Sequence, residues 1–175
     1  QARHLTDMGW YVKSGDVILA IPSSGVHSNG YSLVRSILEN KKIDKKIKKQ
    51  LLAPTKIYTK EILNLTKKNL IHSAAHITGG GLIDNLKRSI PDHLHLNLDL
   101  SKIKVKDIFK WIKSNNISDH EMLKTFNCGV GFCLITKKTN INKIKKYFSN
   151  EYKPYEIGFI SKSKSKLNIF NKIRW

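Results

Sequence analysis

With 175 residues and 40% hydrophobic content, the chain has enough apolar surface for one cored domain, which excludes an intrinsically disordered segment. No stretch approaches the roughly eighteen apolar residues of a membrane helix, and the N-terminal QARHLTDMGW has no apolar signal-peptide core. The formal charge of +19 invites a nucleic-acid reading, yet only four of the 32 basic residues are arginine, the side chain suited to bidentate phosphate and base contacts. The lysines are dispersed along polar faces, as in KKIDKKIKKQ and NKIKKYF, so a solvated lysine surface is expected rather than specific nucleic-acid binding. Cys128 and Cys133 fall in one predicted strand at an odd separation, which directs them to opposite faces. Neither a disulfide nor a shared metal is expected, and so few cysteines suit a reducing cytoplasm. The chain does not begin with Met, so a cut from a longer chain is expected.

In chain order, residues 16–22 read as a buried strand and 31–39 as a helix with Leu33, Val34, Ile37 and Leu38 on one face, its start capped by Ser28 or Asn29. Ile43, Ile47 and Leu51 recur every fourth residue in a lysine-rich surface helix. Pro54 and Thr55 introduce another, with Tyr58, Ile62 and Leu65 inward. LIHSAAHIT is a short strand running into three glycines, followed by a helix on Leu82, Ile83, Leu86 and Ile90 that Pro91 stops. HLHLNLDL alternates, which predicts Leu94, Leu96, Leu98 and Leu100 on a core and His93, His95, Asn97 and Asp99 on a solvated face. Those two histidines could ligate a metal, but no third ligand accompanies them. Val105, Ile108, Phe109 and Ile112 mark a helix face, SDHE at 118–121 a capping box, and GVGFCLIT a strand. Ile141, Ile144 and Phe148 line a last helix with Lys143, Lys145 and Lys146 on its polar side, before strands at YEIGFI and KLNIF. Helices and strands interleave without an internal repeat or linker, which predicts one α/β or α+β domain.

Three stretches depart from packing logic. PSSGVHSNGYSLV, residues 22–34, joins a strand to a capped helix through small residues, leaving N–H groups and a helix dipole that attract an anion, with His27 and Asn29 as further hydrogen-bonding groups. An ordinary cap with an exposed histidine fits the pattern equally well. HITGGGL, residues 76–82, accepts three glycines that each cost roughly 0.5–1 kcal/mol relative to alanine in regular structure. Close backbone approach to a phosphate would account for them, and so would a flexible connection. Neither the Walker pattern nor the dinucleotide fingerprint is present. In FNCGVGF, residues 126–132, Gly129 and Gly131 leave one strand face bare, for a ligand or for tight internal packing. No Ser–His–Asp pattern, metal cluster or carboxylate pair stands out, so a metal for phosphorylated ligands would have to come from elsewhere.

Taken together and in order, SSGVHSNGYSLVR, LLAPTKIY, AHITGGGLIDNL and MLKTFNCGVGF resemble the C-terminal domain of phosphoribosylformylglycinamidine cyclo-ligase, the aminoimidazole ribonucleotide (AIR) synthetase family of purine biosynthesis. The similarity covers about residues 10–160. The resemblance implies an α+β fold with a mixed sheet layered with helices. It implies one domain over 1–175, with 1–12 an interdomain segment or artificial remnant, 161–175 a terminal strand and tail, and the N-terminal ATP-binding domain absent from this chain. The implied activity is ATP-dependent closure of the imidazole ring of formylglycinamidine ribonucleotide, giving AIR, ADP and phosphate. On that resemblance the formyl oxygen would be phosphorylated, an amidine-side nitrogen would attack the formyl carbon, and phosphate would leave. The resemblance also implies a site in a cleft between two domains, so the isolated chain is expected to be inactive.

Carried over by motif, His27 and His76 are the expected catalytic residues. Ser24, Gly25, Ser28, Asn29, Gly30, Asn127 and Gly129 are expected on the substrate side, and Thr78, Gly79, Gly80 and Gly81 on the nucleotide or phosphate. ATP and Mg²⁺ would be held mainly by the N-terminal domain. The expected partners are a small-molecule nucleotide substrate, that domain, and a second copy in a cytoplasmic full-length homodimer, with no specific nucleic acid and no membrane. Two alternatives remain: a paralogous ATP-dependent enzyme of the formylglycinamidine ribonucleotide synthetase or selenophosphate synthetase type, and a basic RNA-binding module.

Overall fold

Alternating and continuous apolar runs supply six strands, which a computed structural model arranges in one sheet; it describes residues 11–39, 41, 43–162 and 166–175. The expected interdomain segment falls outside the described residues as far as residue 10, as do positions 163–165 of the tail. The strands are β1 (Val17–Pro22), β2 (Ser73–His76), β3 (Leu94–Leu98), β4 (Val130–Thr136), β5 (Tyr155–Lys162) and β6 (Leu167–Ile169), in the spatial order β2-β4-β1-β5-β3-β6. Every neighbouring pair is antiparallel except β3 and β6. The mixed sheet with helices on both faces is the expected α+β architecture.

The period-two rule sorts the central strands between two cores. Ile18 and Ala20 of β1 lie opposite Ile135 and Cys133 of β4, and all four enter the larger core. Its helices are α1 (Tyr31–Glu39), α2 (Lys45–Leu51), α4 (Gly81–Lys87), α5 (Asp107–Lys113) and α6 (Asp119–Thr125), which contribute Val34, Leu51, Leu82, Leu86, Ile108, Phe109, Ile112 and Met122. On the other face Leu19 and Ile21 lie opposite Leu134 and Phe132. That face packs on Ile62 and Leu65 of α3 (Thr59–Lys67) and Ile144 of α7 (Ile141–Lys145). Among the described residues no helix is long and apolar enough to cross a membrane.

Local chemistry sets the helix starts. The Asp44 carboxylate accepts from the Ile47 N–H at 2.7 Å, and the Ser118 hydroxyl accepts from the Glu121 N–H at 3.1 Å. The capping box forms only in that direction, because the Glu121 carboxylate accepts from the Thr125 hydroxyl instead. At α1 the first turn closes on the Gly30 carbonyl, which accepts from Val34 N–H at 3.0 Å, and among the described residues no side-chain cap from Ser28 or Asn29 is seen. Ser28 Oγ pairs instead with Thr55 Oγ1 at 3.4 Å.

The solvated face expected for HLHLNLDL is a correction. His95 and Asn97 are both buried, because β3 is flanked by β5 and β6 and the Asn97 amide donates to Ser161 Oγ at 2.8 Å. Only His93 is exposed, and it precedes the strand. Asp99 lies beyond the strand's end and accepts from Ser101. The shared strand for the two cysteines is a second correction. Cys133 lies in β4, whereas Cys128 stands before it with φ 50°. Both are free and buried, and burial raises the Cys128 thiol to about 12, so they are inert thiols.

Candidate functional site

The strand directions bring the three unusual stretches to one end of the sheet. β1 and β2 both run antiparallel to β4, so their C-terminal ends meet its N-terminal end, with Pro22 opposite Val130 and His76 opposite Phe132. Backbone bonds extend the ladder into the loops: Ser23 N–H donates to Gly129 O at 2.9 Å and Ile77 N–H to Gly131 O at 3.1 Å.

The first loop is tied down from three sides. The Ser24 hydroxyl donates to Pro54 O at 2.6 Å and accepts from Lys56 N–H at 3.1 Å, which fastens it to the segment leading into α3. The Asn127 amide donates to Gly25 O at 2.9 Å and Val26 O at 3.3 Å, and its oxygen accepts from Gly129 N–H at 2.9 Å. His27 then takes φ 59°, a left-handed conformation rare for a residue with a bulky side chain and frequent at functional sites. Its ring is buried, and Nε2 accepts from Ser24 N–H at 3.2 Å. Burial, with His76 and then Lys106 nearby, lowers the imidazole to about 4 and keeps it neutral near pH 7.

Around His27 stands an aromatic cluster. Its ring centroid is 6.2 Å from Tyr58 and 6.3 Å from His76, and His76 stacks on Phe132 at 5.5 Å with an interplanar angle of 16°. Gly131 makes room for it: a Cβ there would come within 2.0 Å of Tyr58 Oη and 2.8 Å of His27 Cε1. The Tyr58 hydroxyl donates to Pro22 O at 2.8 Å, and burial pushes its pKa up. Lys56 Nζ lies 5.3 Å from the Tyr58 ring and pairs with Glu61 at 2.9 Å. A groove of about 310 Å³ opens over this cluster, lined by Thr55, Ile57, Tyr58, Leu63, His76 and Phe132. His76 is exposed at its floor, yet desolvation lowers its pKa as well. Its neutral ring offers both a donor and an acceptor nitrogen.

The glycine turn lies beside the first loop, with Asn29 Oδ1 3.7 Å from where a Gly79 Cβ would stand. Gly80 and Gly81 have φ 90° and 68°. The Asn85 amide holds the turn, donating to Gly81 O at 2.7 Å and Gly79 O at 3.3 Å, while its oxygen accepts from Thr78 Oγ1 at 3.4 Å and Arg88 Nη2 at 3.2 Å.

The structure thus gathers Ser24, Gly25, His27, Ser28, Asn29, Gly30, His76, Thr78, Gly79 and Gly80 at one end of the sheet, but not all of the expected residues face an opening. Asn127 is 4% exposed with both ends of its amide engaged, so it braces the loop. Gly129 is buried behind it. Gly81 is buried too, its N–H donating to Thr78 O, and a Cβ there would stand 1.8 Å from Leu123 O. Gly25 is buried as well, its carbonyl accepting from the Asn127 amide, and these four shape the site from beneath. The strand face bared by Gly131 is filled by Tyr58 and His27, the packing alternative. Tyr58, Phe132, Lys56 and Asn85 were not among the expected site residues: Tyr58 and Phe132 gain their roles from contacts across the fold, whereas the side chains of Asn85 and Lys56 act on near neighbours, the glycine turn and Glu61. Among the described residues no group of three or more His, Cys, Asp or Glu could hold a metal ion.

Comparison with known proteins bears on the family and the fold. Residues 13–168 match the family model described as AIR synthase related protein, C-terminal domain. The bifunctional purine biosynthetic protein ADE5,7 of Saccharomyces cerevisiae is 42% identical over 142 residues, which are 75% of this chain but 18% of the yeast protein. Among solved structures, PurL of Thermotoga maritima complexed with FGAR superposes with a TM-score of 0.60 at 12% identity, covering 92% of this chain and 26% of PurL. Thiamine monophosphate kinase from Aquifex aeolicus gives 0.56 at 14% identity, covering 93% of this chain and 52% of the kinase. The chain thus spans under a fifth of the yeast relative and about a quarter to a half of these structures. With the match running over most of its length, the chain belongs to the AIR synthase related family, as its C-terminal domain.

Proposed function

We propose that this chain is the substrate-side domain of an ATP-dependent cyclo-ligase that converts formylglycinamidine ribonucleotide to AIR, ADP and phosphate. The observation that carries the reading is the meeting, at one sheet end, of the His27–Asn29 loop, the His76 groove and the glycine turn. The 42% identity to a purine biosynthetic protein supports a role in purine biosynthesis, whereas the 12–14% identity to the kinase and PurL structures speaks only for the fold.

On this reading His27, Asn29 and Ser28 meet the substrate, and His76 with the amides of Gly79 and Gly80 meets phosphate. Phosphoryl transfer to the formyl oxygen turns it into a leaving group. Attack by the amidine-side nitrogen on the formyl carbon then expels phosphate and closes the ring. The residues described here do not suit Mg²⁺, which takes oxygen ligands built largely on carboxylates. A further ATP-binding domain is proposed to supply them, in a cytoplasmic homodimer. The test is conversion of formylglycinamidine ribonucleotide and ATP to AIR. The protein carrying both domains should turn over, and the 175-residue chain alone should not. Phosphorylation of thiamine monophosphate by the two-domain protein, without AIR formation, would reject the assignment in favour of a paralogous kinase.

A further inference from the structure

The two nitrogens of His27 are in different situations. Nε2 accepts from Ser24 N–H at 3.2 Å, so its lone pair points at that amide and it carries no proton. A neutral imidazole with a bare Nε2 holds its one hydrogen on Nδ1. That atom is fully buried, in a residue only 4% exposed, and has no hydrogen-bond partner among the described residues. The ring cannot easily turn away, since Gly131 lies against Cε1 and the loop carrying it is fixed by Asn127 and Ser24. The groups facing it are His76, Lys106 and the Tyr58 hydroxyl, which is committed to Pro22 O; two of the three are or can become cationic and oppose a second proton.

We propose that His27 is locked by the Ser24 amide as the neutral Nδ1–H tautomer and serves as a hydrogen-bond donor to a substrate oxygen, directly or through one water, and not as a general base. A buried N–H without an acceptor is costly, so an acceptor oxygen brought within reach on binding, by the substrate itself or by a water it orders, recovers free energy that bulk solvent outside the loop does not supply. The nitrogen that would have to accept a proton in general-base catalysis is already occupied by backbone. This rests on the reading that the 24–30 loop faces substrate.

Two measurements test it. In long-range ¹H–¹⁵N spectra of the labelled 175-residue chain, His27 should show the Nδ1–H pattern and stay neutral from pH 7 to pH 5. An Nε2–H pattern, or protonation near the ordinary histidine value, overturns the proposal whatever the protein's substrate. In the two-domain protein, His27→Asn keeps an amide N–H at the Nδ1 position and tolerates the left-handed backbone, whereas His27→Gln can reach only the Nε2 position. Affinity for formylglycinamidine ribonucleotide should stay within about threefold in H27N and fall about tenfold in H27Q, the factor expected for one lost hydrogen bond of roughly 1.4 kcal/mol. Equal loss in both variants, with a wild-type rate that drops through a pKa between 6 and 7, of the order of free histidine, overturns the donor role. If the wild type does not bind this nucleotide at all, the proposed function falls and the spectra alone decide the tautomer.

Discussion

At the scale of single residues, Gly131 is what lets Tyr58 and His27 close against β4. Its missing Cβ is the space in which Tyr58 Oη and His27 Cε1 sit, and both are fixed from behind, Tyr58 by Pro22 O and His27 by Ser24 N–H. Gly131→Ala therefore introduces a methyl group into a filled position without backbone strain, since its φ is not in the left-handed range. Overpacking of this kind costs about 1–3 kcal/mol, to be read from urea unfolding. Removing the hydroxyl that the methyl would meet, in Tyr58→Phe, should return part of that loss in the double variant, giving a coupling on the order of 0.5 kcal/mol or more. Strict additivity of the two changes would show that the hydroxyl is not what excludes the side chain.

At the scale of elements, α3 is both a packing helix and one wall of the groove. Leu65 is 0% exposed in the smaller core while Leu63, two residues away, is 52% exposed on the rim. Leu65→Ala should cost about 2–5 kcal/mol, and Leu63→Ala should stay within about 0.5 kcal/mol. Similar losses in the two would mean that α3 is not oriented as described. That orientation was legible from Tyr58, Ile62 and Leu65 at helical spacing, as the strands were from their apolar runs, because these patterns are local. The faces of β3 were not. An alternating sequence predicts one wet face, and the cross-strand neighbours that accompany the burial of His95 and Asn97, Ser161 and Phe159 of β5, are more than sixty residues away. The site divides in the same way. His27, Asn29, His76 and the glycines stood out through residue type and context. Asn127 had to be read as a brace across about a hundred residues, and the contact of Tyr58 with Gly131 spans more than seventy, separations that no local pattern reports.

At the scale of the whole molecule, charge works against the fold more than for any partner. With 32 Lys and Arg against 13 Asp and Glu, most cations must lack an acidic neighbour. Lys56–Glu61 and His72–Asp16 are more enclosed, but Lys46–Asp107 and Lys113–Asp119 involve exposed or partly exposed side chains, of a kind worth about 0–1 kcal/mol. Self-repulsion at +19 should therefore outweigh them, and it is long-ranged enough to be screened once the Debye length falls to about 10 Å near 0.1 M salt. Raising sodium chloride from about 0.02 M to 0.3 M shortens that length severalfold and should raise the melting temperature, the reverse of what a fold held by surface ion pairs would do. The same screening should abolish adhesion to RNA, which for a dispersed lysine surface is non-specific and falls steeply with salt. A melting temperature that drops with added salt, or RNA binding that survives 0.2 M salt and prefers one sequence, would mean that the positive charge is organised into a site and not spread as a solvated coat.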